Sequence, residues 1–180
     1  EALEPFWKKL RRYRKLHIEA AAIDMSPAYI KAIRENLKDT VVVFDHFHVI
    51  KMFNEKLSDF RRQLFNITEE LLPKKVLKGT RWLLLTGKEK LDSEQKKQQR
   101  LENALQLNRP LATVYYMKED LRQFWSQANK ETAVIFLTEW IERATVSGIR
   151  MLRDFAKTLK RHWEGLISYY DYPISTGPLE

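Results

Sequence analysis

The feature that most constrains this fold is a pair of short apolar runs separated by a segment with helical periodicity. Four consecutive β-branched residues and a phenylalanine form the run TVVVF at residues 40–44. An unalternated run of this length suits a parallel strand covered on both faces. The run IEAAAI at residues 18–23 predicts a second strand. Between them, Ser26 can cap a helix over residues 26–38, and Pro27 suits its first turn.

Acidic residues follow both predicted strands. Asp24 comes directly after the first strand and Asp45 directly after the second, with His48 three positions further on. Open α/β sheets build their sites at the carboxyl ends of parallel strands. Asp24 is either a structural cap or a hard oxygen ligand for Mg²⁺. On local grounds alone, Asp45 and His48 are an N-cap and a residue of the first helical turn.

Most of the remaining chain has the periodicity of amphipathic helices. Apolar side chains recur at spacings of three and four within residues 47–64, 111–125, 133–144 and 149–170, which predicts helices with one buried face. In the last of these, a basic stripe occupies a different side of the cylinder from the apolar one. Its members are Arg150, Arg153, Lys157, Lys160 and Arg161. This basic stripe is a candidate phosphate-binding surface, and a solvated outer face is the alternative.

The composition indicates a globular protein with a polyanionic partner. The chain of 180 residues is 44% hydrophobic and 31% charged, with a formal net charge of +8. A positive net charge of this size most often indicates that the partner is nucleic acid. The alternative is that the charge serves only solubility. The absence of cysteine excludes disulfides and thiolate metal sites. No apolar run reaches the roughly 20 residues that span a bilayer, so we expect no membrane partner.

The predicted fold class is α+β and mostly α. Two strands alone make no stable sheet, so we expect both strands to belong to a larger sheet whose other strands lie outside this sequence or come from another copy. Glu1 is not an initiator methionine, and the last residues stop within what looks like a motif. We therefore interpret the sequence as an excerpt of a longer protein.

Three ordered motifs carry a family resemblance. The blocks AIDMSPAY at residues 22–29, VFDHFHVIK at 43–51 and TGPLE at 176–180 resemble successive blocks of the DDE transposases of bacterial insertion sequences, in the ISL-three branch. His46 departs from the arginine that is commoner in the second block, and the Asp-x-x-His pattern of Asp45 and His48 is intact. The similarity runs along essentially the whole chain.

The resemblance implies a partial ribonuclease H-like core of two strands with a large all-helical insertion. The implied organisation is a core over residues 1–50, a helical insertion over 51–172, and a return segment over 173–180 that carries the last acid. Such enzymes hold two Mg²⁺ or Mn²⁺ ions with three carboxylates and cleave and transfer DNA strands. By this analogy Asp24 is the second acid and Glu180 the third, and both are metal ligands. Asp45 and His48 form an accessory motif.

Two alternatives accompany this hypothesis. Asp45 could be the second catalytic acid, but we prefer Asp24, because in related branches the Asp-x-x-His signature lies one strand downstream of that acid. The chain could also be a non-catalytic basic helical module that binds nucleic acid or protein, with both aspartates as helix caps.

The family's first acid has no counterpart in this sequence, so we expect the excerpt alone to be inactive. The expected partners are DNA, as transposon ends and target, and further copies of the protein. The expected location is the bacterial cytoplasm.

Overall fold

A computed structural model describes residues 4–12, 17–67, 80–86 and 95–175. The chain divides into two compact units. The first unit combines residues up to Val49 with residues from His162 onward, and the second runs without interruption from Ile50 to Arg161. The first unit is therefore built from two separate pieces of chain.

The first unit contains a parallel pair of strands. Strand β1 (Ala20–Ile23) pairs with β2 (Val41–Phe44), and Ala20 lies opposite Val41 while Ile23 lies opposite Phe44. The Asp45 N–H extends the ladder by donating to the Ile23 carbonyl at 3.0 Å. The predicted strand, helix, strand unit is thus confirmed, and among the described residues the sheet has these two strands. Helix α1 (Glu4–Arg12) precedes β1 and buries Trp7.

Helix α2 (Pro27–Asn36) connects the two strands, with proline in its first turn and Ile33 buried. The predicted side-chain cap at Ser26 is wrong, because Ser26 occupies the N-cap position but its hydroxyl makes no capping hydrogen bond. Instead, the Asp24 carboxylate accepts the Ser26 N–H at 2.8 Å. An aspartate that bonds the backbone two residues ahead forms an Asx turn, which sets the chain up to enter the helix.

The second piece of the first unit packs on β2. It contains a short helix, α9 (Trp163–Ile167), and a 3₁₀ turn over Ser168–Tyr170. The Phe44 ring meets His162 edge to face at a centroid distance of 5.1 Å. A Cβ at Gly165 would overlap the Phe44 ring, so this position accepts no larger residue unless that ring moves.

The described residues of the second unit form helices that are joined by short connections. Helix α3 begins in the first unit at its amino end and continues into the second. The helices of this part of the chain are α3 (His46–Ile67), α4 (Arg81–Leu85), α5 (Gln95–Leu107), α6 (Arg109–Arg122) with a 3₁₀ turn at Gln123–Ser126, α7 (Lys130–Val146) and α8 (Arg150–Arg161).

Residues at the boundaries explain where these helices begin. The Asn108 side chain caps α6 by accepting the Leu111 N–H at 2.9 Å. Asn129 and Thr132 form a reciprocal capping box at the start of α7. Gly148, with φ of +74°, turns the chain between α7 and α8 in a conformation that favours glycine.

Three aromatic rings form the centre of the second unit. Phe53 of α3 lies 4.8 Å from Phe155 of α8 and 6.2 Å from Trp140 of α7, between ring centroids. All three residues are fully buried, and the Trp140 indole N–H donates to the Met117 carbonyl at 2.8 Å. Edge-to-face rings of this kind add to the area that they bury, so this cluster joins the three helices.

One predicted helix is divided. The apolar stripe over residues 149–170 predicts a continuous helix, whereas the structure interrupts it at His162, whose backbone is not helical at φ −106° and ψ 17°. The predicted apolar positions Leu152, Phe155 and Leu159 are nevertheless buried before the break, and Leu166 is buried after it. Among the described residues, no helix has the length and hydrophobicity that a membrane crossing requires.

Candidate functional site

The two aspartates lie at the same edge of the strand pair. Because Ile23 is opposite Phe44, Asp24 and Asp45 directly follow neighbouring ends of two parallel strands. Paired strands are about 4.8 Å apart, so the register alone places the two backbones side by side. This edge, defined by Asp24, Asp45 and His48, is called the strand-end site below.

The Asp24 carboxylate is half-buried and has one oxygen available. Its Oδ1 accepts the Ser26 N–H, while Oδ2 accepts no hydrogen bond from the part of the chain that the structure describes. A carboxylate fixed through one oxygen and open at the other can act as a ligand to a hard cation. The hydrogen bond to Ser26 therefore does not prevent the Asp24 carboxylate from contacting a cation.

Asp45 has a different environment, because it is fully buried and both oxygens have partners. Oδ1 accepts the Ser175 hydroxyl at 2.9 Å and the Phe47 N–H at 3.4 Å. Oδ2 lies 3.2 Å from the Nδ1 atom of His48, and the His46 ring nitrogen is 3.5 Å from Oδ1. A buried carboxylate requires such partners, since an isolated charge away from water is costly.

The Asp45 carboxylate contacts both the first turn of α3 and the His48 ring. Asp45 bonds the first turn of α3 through the Phe47 N–H, which is what the N-cap interpretation predicts. The same carboxylate contacts His48, whose side chain is 26% exposed. A carboxylate bonded to one ring nitrogen fixes the orientation of the imidazole and leaves its second nitrogen available for other contacts.

Ser175 is a site residue that sequence analysis did not identify. Its hydroxyl reaches Asp45 from 130 positions away. Ser175 belongs to no periodic pattern, and the signal that could have found it is its position directly before the block TGPLE. The contact brings the end of the described chain to the strand-end site. Glu180, the predicted third acid, lies outside the described residues.

The donor set at this edge fits a divalent cation in part. Asp24 offers an open carboxylate oxygen of the type that Mg²⁺ prefers, whereas the Asp45 oxygens already have partners. Within residues 4–12, 17–67, 80–86 and 95–175, no group of three His, Asp or Glu side chains could hold a metal ion.

The predicted basic stripe lies on α8 in the second unit. All five of its residues are exposed, and they are Arg150, Arg153, Lys157, Lys160 and Arg161. Asp154 lies among them and contacts Arg150 at 3.6 Å and Lys157 at 3.7 Å. Exposed pairs of this kind are weak, so the face keeps a strong positive surplus.

Comparison with known proteins gives two matches. A family model described as transposase, for DDE enzymes of the ISL3 type, matches residues 1–180. The transposase for insertion sequence element IS1001 of Bordetella parapertussis is 31% identical over 182 residues, which cover 100% of this chain and 44% of that protein. The chain thus spans less than half the length of this curated relative. No solved structure matches this chain.

Proposed function

The chain belongs to the ISL3 family of transposases, and from this premise we propose that it forms part of an enzyme that cleaves and transfers DNA strands with divalent metal ions. The strand-end site is its catalytic edge, on a core of the ribonuclease H-like type. Residues 51–172 act as a helical insertion, and residues 173–180 return to the core. The substrate is DNA, as transposon ends and target, which places the enzyme in the bacterial cytoplasm.

One observation gives the strongest support for the strand-end site as the catalytic edge. The Ser175 hydroxyl bonds Asp45 at 2.9 Å, and Glu180 follows Ser175 by five residues. A segment of that length spans at most roughly 18 Å when fully extended. Chain length therefore allows Glu180 to reach Asp24, which follows the neighbouring strand.

The environments of the two aspartates favour Asp24 as the acid that binds metal. Asp24 has an oxygen that accepts no hydrogen bond from the described residues, whereas Asp45 would have to give up Ser175 or His48 to bind an ion. Asp24 and Glu180 would hold the Mg²⁺ or Mn²⁺ ions. When bound, two such ions stabilise the entering and leaving oxygens of an in-line displacement at phosphorus.

Asp45 and His48 then act beside the metal ligands. The buried Asp45 carboxylate fixes the position of His48, and the partly exposed ring can face the DNA or the reacting groups. The two transposon ends must be held together in one complex, and a multimer of the enzyme would hold them. The basic stripe on α8 supplies phosphate contacts.

The test is an Asp24→Asn variant of the full-length protein. Removing a metal ligand forfeits several kcal/mol of transition-state stabilisation, so we expect a loss of roughly a thousandfold in the rate of cleavage of transposon-end DNA. Asp39→Asn is the matched control, because Asp39 is an exposed carboxylate of the same unit. Cleavage that survives in Asp24→Asn would contradict the assignment.

Binding of Mn²⁺ separates the two candidate acids. In titrations followed by electron paramagnetic resonance, we expect Asp24→Asn to weaken Mn²⁺ binding and Asp45→Asn to retain it. The opposite result would assign the metal to Asp45 and make Asp24 a helix cap.

A further inference from the structure

The outer side of α7 combines exposed acidic and exposed apolar residues. Five such residues lie within an arc of about 80°, since each residue turns a helix by about 100°, and they are Glu131, Ile135, Glu139, Glu142 and Val146. Ile135 is 58% exposed and Val146 is 82% exposed. The buried residues of α7 lie on the opposite side of the helix. These five exposed residues are called the acidic face of α7 below.

Helix formation alone does not account for the acidic face. β-Branched residues such as Ile135 and Val146 have a lower helix propensity than alanine or leucine. The helix dipole favours Glu131 in the first turn, but Glu139 and Glu142 lie well beyond that turn. Because these two are three positions apart, they are neighbours on the helix surface, where like charges repel. A contact with another surface would account for both the apolar and the acidic residues.

The carboxylates of the acidic face have no ion-pair partner among the described residues. Arg143 follows Glu139 by four positions, a spacing at which helical residues can pair, but its guanidinium pairs with Asp120 on α6 at 2.7 Å. Neither Glu131 nor Glu142 forms an ion pair with the part of the chain that the structure describes. Three negative charges thus lie together in a protein whose net charge is +8. Such a face repels DNA and attracts a positively charged protein surface.

Helix α1 has the complementary properties. Its Lys8 and Lys9 side chains are exposed, and Phe6 is 53% exposed. A helix of nine residues such as α1 is roughly 13 Å long. That length covers the stretch from Ile135 to Glu142, which are roughly 10 Å apart along the axis of α7. The exposed residues of α8, by contrast, are all charged, so the basic stripe offers no apolar partner.

We propose that the acidic face of α7 binds helix α1 of a second copy of this chain. Glu139 and Glu142 contact the two lysines of that helix, and Ile135 contacts its phenylalanine. The inference deepens the proposed function by naming a contact through which copies assemble, and it rests on that function only for the purpose of the assembly. The basic stripe takes no part in this contact and stays available for DNA.

The experiment measures self-association of the full-length protein by sedimentation equilibrium in the absence of DNA. Glu139→Lys with Glu142→Lys places ammonium groups against those of α1, so we expect the dissociation constant to rise at least roughly tenfold. Lys8→Glu with Lys9→Glu should raise it by a similar factor, because carboxylates then face carboxylates. A variant with all four substitutions restores opposite charges in reversed order. Its dissociation constant should return to within about threefold of the original.

Two controls separate this contact from an effect of net charge. Glu55→Lys with Glu102→Lys makes the same change in net charge at exposed positions of α3 and α5 and should leave the dissociation constant unchanged. Combining the two α7 substitutions with Lys96→Glu and Arg100→Glu on α5 restores the net charge without changing α1, and association should stay weak. Equal weakening by the first control, or restoration by the second, would overturn the interface.

The outcomes distinguish this interface from the proposed function, because association is measured without DNA and without cleavage. If the variant with all four substitutions fails to restore association, or if the unchanged protein is monomeric at micromolar concentrations, the interface is overturned whatever the result for Asp24→Asn. If association is lost and restored as expected while Asp24→Asn retains cleavage, the interface stands and the proposed function fails.

Discussion

At the scale of single residues, Asp45 shows how a charge is maintained away from water. Its carboxylate is fully buried and is satisfied by a hydroxyl, a backbone N–H and a histidine. Such a group is stable only while its partners remain, because an unsatisfied buried charge pays its desolvation cost without compensation. Among the described partners of Asp45, Ser175 lies furthest away along the chain.

Ser175→Ala should therefore destabilise the first unit. A hydrogen bond to a charged group contributes about 1.5–3 kcal/mol, and we expect a decrease of that size in the free energy of unfolding measured with urea. Ser168→Ala is the control, since the Ser168 hydroxyl donates to the Glu164 carbonyl in an exposed setting. A decrease no larger than that of the control would show that water replaces Ser175 without cost.

At the scale of elements, helix α4 is an example of structure that depends on its surroundings. A helix of five residues does not form alone, because nucleation costs more than so few hydrogen bonds return. Two buried leucines and the Lys118 ammonium hold it in place. Lys118 also lies 2.8 Å from Glu119 and 4.7 Å from the centre of the Tyr115 ring. This lysine therefore joins α4 to α6.

Lys118→Met should loosen that junction. Methionine keeps the apolar length of the side chain but removes the ammonium group that the Leu84 and Thr86 carbonyl groups and Glu119 contact, and disrupting a buried pair costs about 3–5 kcal/mol. We expect a decrease of this order in the free energy of unfolding. Lys96→Met, at an exposed position on α5, should change it by less than about 0.5 kcal/mol. Equal stabilities of the two variants would contradict the role given to Lys118.

Hydrophobic periodicity predicted the elements more reliably than their contacts. The stripe through Ala133, Leu137 and Trp140 predicted the buried face of α7, because a helix with one buried face repeats its apolar positions. Lys118 falls within the predicted stripe of α6, yet the two carbonyl groups that it bonds lie 32 and 34 positions away, and no local pattern predicts those hydrogen bonds. Phe47 was placed on the buried face of α3 and is 45% exposed.

For the candidate site too, the sequence predicted local positions but not tertiary contacts. The positions of Asp24 and Asp45 after their strands follow from local sequence, since strand boundaries and polarity are local properties. The hydrogen bond from Ser175 depends on a tertiary contact across 130 positions, which no local pattern contains. The break at His162 was likewise missed, because the apolar stripe continues across it.

At the scale of the molecule, charge is the property through which the proposed association with DNA can be tested. The net charge of +8 provides a general attraction to a polyanion, and the exposed basic stripe of α8 provides a local one. Local contacts differ from general attraction because they neutralise particular phosphates and release counterions. The contribution of local contacts can therefore be separated from that of net charge by comparing variants that make the same change in net charge at different positions.

Reversal of Arg153 and Lys157 to glutamate tests this distinction in the full-length protein. Each phosphate contact with duplex DNA contributes about 0.9 to the salt slope, so the double variant should bind more weakly with a slope reduced by about 1.8. Lys96→Glu with Arg100→Glu makes the same change in net charge on exposed positions of α5. If both double variants lose the same affinity and slope, the stripe is only a solvated face.

The hydrogen bond between Asp45 and Ser175 also has a consequence for biosynthesis. The continuous stretch from Ile50 to Arg161 lies between these partners, so a ribosome delivers the aspartate early and the serine only after that whole stretch has been translated. The Asp45 carboxylate therefore lacks the Ser175 hydroxyl until the intervening helices have been translated. Completion of the strand-end site is one of the last steps in the maturation of this part of the polypeptide.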